Sequence, residues 1–182
     1  MIRVALLPAV RAMAERMWHL EGDDIIAEPR AQFTHAVTID APPSDVWPWL
    51  VQMGGQRAGW YSWDILDNGG VHSADRIIPR LQHLDLGEVI PAKPAGTEGF
   101  KVLRMVHERA LVLGGGAEDF DGTWAFVLEP VGEQRTRLVT RYRAKFEPSR
   151  RMLIKVPMMA ALHGFMERKQ LRTIKHHAEH MH

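Results

Sequence analysis

Between Gln32 and Leu50 the chain passes from a strand pattern to a helix pattern with almost nothing in between. Phe33, His35, Val37 and Ile39 alternate with Gln32, Thr34, Ala36 and Thr38. That two-residue period belongs to a strand with one covered face and one wet face. Asp40 to Asp45 follows, carrying Pro42 and Pro43, and then Val46, Trp47, Leu50 and Val51 recur at helical spacing. Proline suits a first helical turn because its missing N–H has no partner there, and Asp45 suits the positive end of the helix dipole. A strand that runs straight into a short tryptophan-bearing helix leaves few architectures open.

The flanking segments extend this reading. Residues 1–20 predict an amphipathic helix with Val10, Met13, Met17 and Leu20 on one side; it either packs on the domain, frays, or lies on a membrane surface. Glu21 to Pro29 reads as a polar connector. Gly54-Gly55 ends the short helix, and residues 56–86 read as short helices and loops. Gly87 to Ile90 is a short strand. Four longer strands are expected at Phe100–Glu108, Ala110–Leu113, Thr123–Glu129 and Thr136–Phe146, with Gly114-Gly115-Gly116 as a flexible hairpin tip. In the last strand Leu138, Thr140, Tyr142, Ala144 and Phe146 share one face; Trp124, Phe126 and Leu128 likewise point one way. Arg137, Arg141, Arg143 and Lys145 take the opposite face. The basic row reads as a solvated outer surface, with a polyanion patch as the alternative.

After Pro148 the pattern is helical to the end, with Pro157 expected in the first turn. Met158, Ala161, Leu162, Phe165 and Met166 make an apolar stripe expected to face the sheet. The stripe then breaks, with Lys169 and Arg172 on its face and Leu171 and Ile174 nearly opposite. The last turns therefore pack against another element or project into water. A sheet with one apolar face and a single long helix to cover it must curl around that helix. The expected class is α+β, a helix grip with an extra N-terminal helix, and a cavity between sheet and helix follows as a by-product.

Composition narrows the function classes. A chain of 182 residues with 46% hydrophobic and 25% charged residues suits one core. A net charge of +1 gives no strong pull toward nucleic acid or anionic membrane. With no cysteine there is no disulfide and no thiolate chemistry, and no apolar run reaches the roughly 20 residues of a membrane span. A cytoplasmic location is the expectation.

Four strings carry a family resemblance: THAVTIDAPPSDVWPWLVQMG from Thr34, HSADRIIPRLQ from His72, TWAFVLEP from Thr123 and TRLVTRYRA from Thr136. Together they resemble the SRPBCC superfamily, which comprises START, polyketide cyclase/dehydrase and Bet v-type helix-grip proteins, and most of all its bacterial members of unassigned activity. The resemblance implies a helix-grip domain over residues 30–182, with residues 1–29 as an N-terminal helix and connector. It implies a cavity and no single activity, because the superfamily includes lipid carriers, cyclases and hydrolases.

The face assignments supply candidate site residues. His35, Thr140 and Tyr142 are expected inside among Val37, Trp124 and Phe126, with Met158, Leu162 and Phe165 from the helix. A few polar atoms in an apolar hollow orient a bound molecule; the alternative for His35 is a bond to a neighbouring backbone group. Trp60, Tyr61 and Trp63 serve either as a binding wall or as pins for the short helices. His72, Ser73, Asp75 and Arg76 contain the residue types of a hydrolytic site, but without the usual nucleophile turn. Asp75 as a helix cap and Arg76 in an ion pair is the structural reading. His176, His177, His180 and His182 lack a carboxylate or cysteine partner, so no metal site and no cofactor are expected.

The leading expectation is a small soluble protein that binds an apolar or amphipathic molecule, with His35, Tyr142 and Arg76 fixing its orientation. A cyclase- or dehydratase-like enzyme using His35 or Tyr142 to move protons is the second reading. The third is a protein-interaction module with a vestigial cavity.

Overall fold

The structure is a computed structural model that describes residues 18–95, 98–117 and 120–181. Its six strands are β1 (Ala31–Ile39), β2 (Val89–Pro91), β3 (Gly99–Val106), β4 (Ala110–Ala117), β5 (Phe120–Pro130) and β6 (Thr136–Phe146). They form one antiparallel sheet in the order β1-β6-β5-β4-β3-β2. Helix α1 (Pro43–Val51) and the single-turn α2 (Asp64–Asp67) follow β1, a 3-10 turn spans Pro79–Leu81, and the long α3 (Arg150–Glu179) closes the chain. This is the α+β arrangement expected from the sequence. The expected N-terminal helix falls mostly on residues outside the described ones; Trp18, His19 and Leu20, its anticipated end, are not helical.

The inner face of the sheet is the one the alternation predicted. His35 stands opposite Thr140 and Thr140 opposite Phe126; Phe33, Tyr142 and Trp124 make the neighbouring row. One half of the space beneath is packed solid. Trp47, Trp49 and Leu50 of α1 join Leu128, Leu138 and Ile174 in a continuous buried cluster. Gln52, fully buried, ties α1 to the following loop. Its Nε2 donates to the Tyr61 hydroxyl at 2.7 Å and to the Arg76 carbonyl, while its Oε1 accepts from Ile78 N–H and Gln82 Nε2. All its polar capacity is used, as burial requires.

Three expectations are corrected. The outer face of the sheet is not a solvated basic row, because Trp18 to Arg30 lies across it. Leu20 packs on Ala110, Val112, Ala125, Val127 and Val139. Arg141 is only 2% exposed and meets buried Asp23 at 2.5 Å, and Arg143 meets the other oxygen at 3.0 Å. Asp23 supplies the countercharge that lets this arginine leave water.

Gly114, Gly115 and Gly116 are not a hairpin tip. They belong to β4 and pair with Thr123, Gly122 and Asp121. A Cβ on Gly122 would lie 2.7 Å from the Tyr142 hydroxyl, and one on Gly115 would lie 3.2 Å from the Phe100 ring. Bare backbone at these two positions lets the large side chains lie flat on the sheet.

The third correction concerns α3. It begins at Arg150, with the Ser149 hydroxyl accepting from Met152 N–H, so Pro157 sits inside the helix instead of in its first turn. Most of the apolar stripe points outward, with Met158 64%, Leu162 53% and Phe165 51% exposed, and of its members Met166 alone reaches the interior cavity. The buried face is Gly164, Glu167, Leu171, Ile174 and Ala178, alternating steps of three and four. One face is thus buried along these turns, and the apparent break in the stripe disappears. Turning the helix to bury Phe165 would carry Glu167 out and strip His35 and Trp124 of their partner.

Candidate functional site

The unpacked half of the interior holds a cavity of about 270 Å³. Trp60, Phe100 and Trp124 wall it with aromatic surface; Leu66 and Asp67 of α2 and Ser62 form one rim, Ala92 and Lys93 another. The side toward α3 is His163, Met166, Glu167 and Gln170. The aromatic rings brace one another, Trp60 against Trp124 at 5.6 Å nearly parallel and Trp60 against Phe100 at 5.5 Å edge-on. Trp60 Nε1 donates to the Ala92 carbonyl at 3.0 Å, which fixes that ring in place.

Behind this wall lies a buried polar cluster. Glu167 accepts from Trp124 Nε1 at 3.0 Å through one oxygen and from His35 Nδ1 at 2.6 Å through the other. His163, one turn earlier on α3, brings its Nδ1 within 3.2 Å of that second oxygen. It does so at an angle too poor for a hydrogen bond, and this buried nitrogen has no other partner among the described residues. Burial alone would push the Glu167 carboxyl up, but the close His163 imidazole and the hydrogen bond from His35 hold it far below the usual carboxylate range. Glu167 is therefore an anion in the interior. Rings of Trp124, Tyr142 and Phe33 surround His163 at 5.5, 5.1 and 6.4 Å. A second hollow of about 280 Å³ opens between β1 and α3, lined by Phe33, His35 and Ala160.

Two further acceptors face the cavity region unpaired among the described residues. Gln170 donates its Nε2 to the Trp60 carbonyl at 2.9 Å, which fixes the amide orientation and leaves its Oε1 buried without a donor. Asp67 Oδ1 is likewise buried and unpartnered. Burial and the nearby Asp64 charge raise the Asp67 carboxyl to about 6.

The sequence-predicted residues divide into three groups. Trp60 and Trp124 line the cavity, with His35 and Tyr142 close behind. Val37, Tyr61, Phe126 and Thr140 belong to the packed interior: Tyr61 is held by Gln52 and packs on Trp49, and Thr140 donates to the His35 carbonyl. Trp63, Arg76, Met158, Leu162 and Phe165 lie on the outer surface, Trp63 stacked on Phe165 at 5.3 Å. The exposed Arg76 lines no part of this cavity. Burial lifts the Tyr142 hydroxyl to about 12, which makes it a weak acid for proton transfer near neutrality.

Among the described residues the His72–Arg76 string shows neither an Asp75 helix cap nor an Arg76 ion pair. Asp75 caps no helix: the 3-10 turn that follows starts after Ile78 and has no side-chain cap. The hydrolytic reading fails on geometry, because Ser73 Oγ donates to Asp64 at 2.6 Å while the exposed His72 approaches the other oxygen of the same carboxylate at 3.3 Å. A triad needs the histidine between nucleophile and carboxylate. Of the C-terminal histidines, His177 stacks on Trp49 at 4.6 Å, the His176 and His180 rings lie 4.5 Å apart, and His182 lies outside the described residues.

Sequence reasoning missed His163, Glu167 and Gln170, which sit at steps of four and three on one helix face. That spacing was visible. The neighbouring stripe is more apolar, so hydrophobic periodicity alone favours it as the buried side.

No protein-family model and no curated protein matches the sequence. Solved structures do match. An X-ray structure of a Mesorhizobium loti protein superposes with a TM-score of 0.50 at 16% identity, covering 80% of this chain and 98% of the other. A solution structure from Thermobifida fusca gives 0.50 at 15%, covering 83% and 96%. A START superfamily protein from Mycobacterium smegmatis gives 0.47 at 13%, covering 81% and 97%. Among the described residues no helix is long and apolar enough to cross a membrane. At such identities the likeness speaks to the fold alone: the antiparallel sheet wrapped against a long C-terminal helix is an arrangement this chain shares with the first two of these structures.

Proposed function

We propose that this protein binds a compact, largely aromatic or apolar molecule that carries at least one hydrogen-bond donor. The observation that carries the reading is the cavity itself: three aromatic rings enclose it, while Gln170 Oε1 and Asp67 Oδ1 lie buried beside it as acceptors without donors. An unpaired buried acceptor costs about 1–3 kcal/mol, and a ligand hydroxyl or N–H would recover part of that. A volume of about 270 Å³ lies at the lower edge of ligand pockets, which run from roughly 300 to 1,000 Å³. A long-chain lipid would not fit inside it. The orienting groups are therefore Gln170 and Asp67, and His35, Tyr142 and Arg76 give up that role.

The test is a titration of Trp60 and Trp124 fluorescence with 1-naphthol and, in parallel, with 1-methylnaphthalene. The expected result is several-fold tighter binding of the naphthol, with the preference removed by Gln170→Leu. Equal affinities, or no saturable binding by either compound, would sink the proposal.

The enzyme reading keeps one specific support. His163 lines the cavity with its Nδ1 3.2 Å from the buried Glu167 carboxylate, the histidine–carboxylate pairing used in general acid–base sites. In that reading His163 is the proton carrier in place of His35 or Tyr142, and His163→Gln would abolish turnover while sparing ligand binding.

A further inference from the structure

We propose that His35, His163 and Glu167 form a binding site for a single first-row transition dication, of the zinc or ferrous class, at the inner wall of the cavity. One nitrogen of each imidazole and one carboxylate oxygen lie within 4.8 Å of one another. Two imidazoles and a carboxylate are the donor set such ions favour over magnesium or calcium, which take oxygen alone.

Two of the three donor separations lie close to those around a bound ion. Around a tetrahedral ion with bonds of about 2.0–2.1 Å, donor atoms stand about 3.3 Å apart. His163 Nδ1 and Glu167 Oε2 are already 3.2 Å apart, and His35 Nδ1 at 2.6 Å from the same oxygen must withdraw by less than one ångström. The buried His163 Nδ1, with no well-aligned partner among the described residues, is an electron pair aimed at this point. Two supports surround the set. Trp124 Nε1 donates to the other oxygen of Glu167 and would hold the carboxylate while Oε2 binds the ion. Entry and exit exist on both sides, since His163 and Glu167 line the main cavity and His35 lines the hollow beside β1. Three protein ligands leave a coordination position toward the cavity, where water or a donor atom of the guest would sit. The site does not depend on the ligand proposed above.

The surface histidine pair His176 and His180 is a competing place for a dication, so the experiment uses the His176→Ala/His180→Ala variant. After chelator treatment this protein is titrated with Zn²⁺ and Co²⁺ by calorimetry and absorption near neutral pH. The expected outcome is one ion per chain at micromolar affinity or tighter, weakened at least tenfold by His163→Ala and by Glu167→Gln. Circular dichroism checks that each variant is folded. A second measurement needs no change at the site: Co²⁺ added to the unaltered protein should broaden the Trp124 indole N–H resonance first. No saturable binding in the double variant, or binding indifferent to both site substitutions, overturns the proposal. Broadening confined to the Trp49 indole, which packs on His177, overturns it as well.

Discussion

The two long sides of α3 carry opposite polarity to what their burial suggests. Its outward side bears Met158, Leu162 and Phe165, each more than half exposed, whereas its inward side buries Glu167 and Gln170. Farther along the same inward side, Leu171, Ile174 and Ala178 are ordinary core. The helix therefore has a packing half and a functional half. In the packing half, transfer of apolar surface decides the orientation. In the functional half it is decided by the partners that Glu167 supplies to His35 and Trp124. An unpaired buried donor or charge costs more than the exposure of one apolar side chain, so the polar residues take the interior.

The largest expected effect tests the functional half. Glu167→Ala removes the partner of two histidines and a tryptophan N–H, and should lower unfolding stability by about 3–5 kcal/mol in urea titration. A change under 1 kcal/mol would mean the carboxylate is dispensable and the helix is oriented by something else. Next, a pair of leucine-sized truncations reads the helix orientation directly. Ile174→Ala should cost about 2–5 kcal/mol, as a fully buried aliphatic does. Leu162→Ala should stay within about 0.5 kcal/mol. Reversed values would show that the apolar stripe faces the sheet after all.

A smaller effect follows from Asp67. Its folded-state carboxyl is raised to about 6 from an ordinary value of 3.8, so the folded protein holds a proton that the unfolded chain releases. Stability from this group is greatest below about 4 and is lost as pH rises through 6. Asp67→Asn should flatten the melting temperature against pH over that window and raise it at pH 7. An unchanged slope would mean that the buried oxygen is satisfied in solution. The smallest effect is expected at Arg76, which lies exposed on the outer surface: Arg76→Ala should leave naphthol affinity within twofold. A larger loss would return that residue to the site.

Much of the frame was readable along the chain. The alternation in β1, β5 and β6 assigned Phe33, His35, Trp124, Phe126, Thr140 and Tyr142 to the inner face, because a two-residue period is fixed by backbone geometry whatever the strand pairs with. Element order and the family resemblance led to the same grip. The site was less legible. Trp60 and Trp124 were found as aromatics, yet Tyr61, three residues from Asp64, turned out to be a pin for α1, and Trp63 lies against Phe165 outside. The outer face misled for the opposite reason: a row of arginines looked solvated because its countercharge, Asp23, lies more than a hundred residues away.

Local sequence by itself determined the strands, their two faces, the proline-led start of α1 and the existence of the last helix, since each follows from dihedral preferences and periodicity within a few residues. Only the tertiary structure decided how α3 is rotated, that His35 meets Glu167, and that Arg141 is buried. Those outcomes depend on which distant donors find acceptors, and hydrogen bonding between residues remote in the chain leaves no period along it.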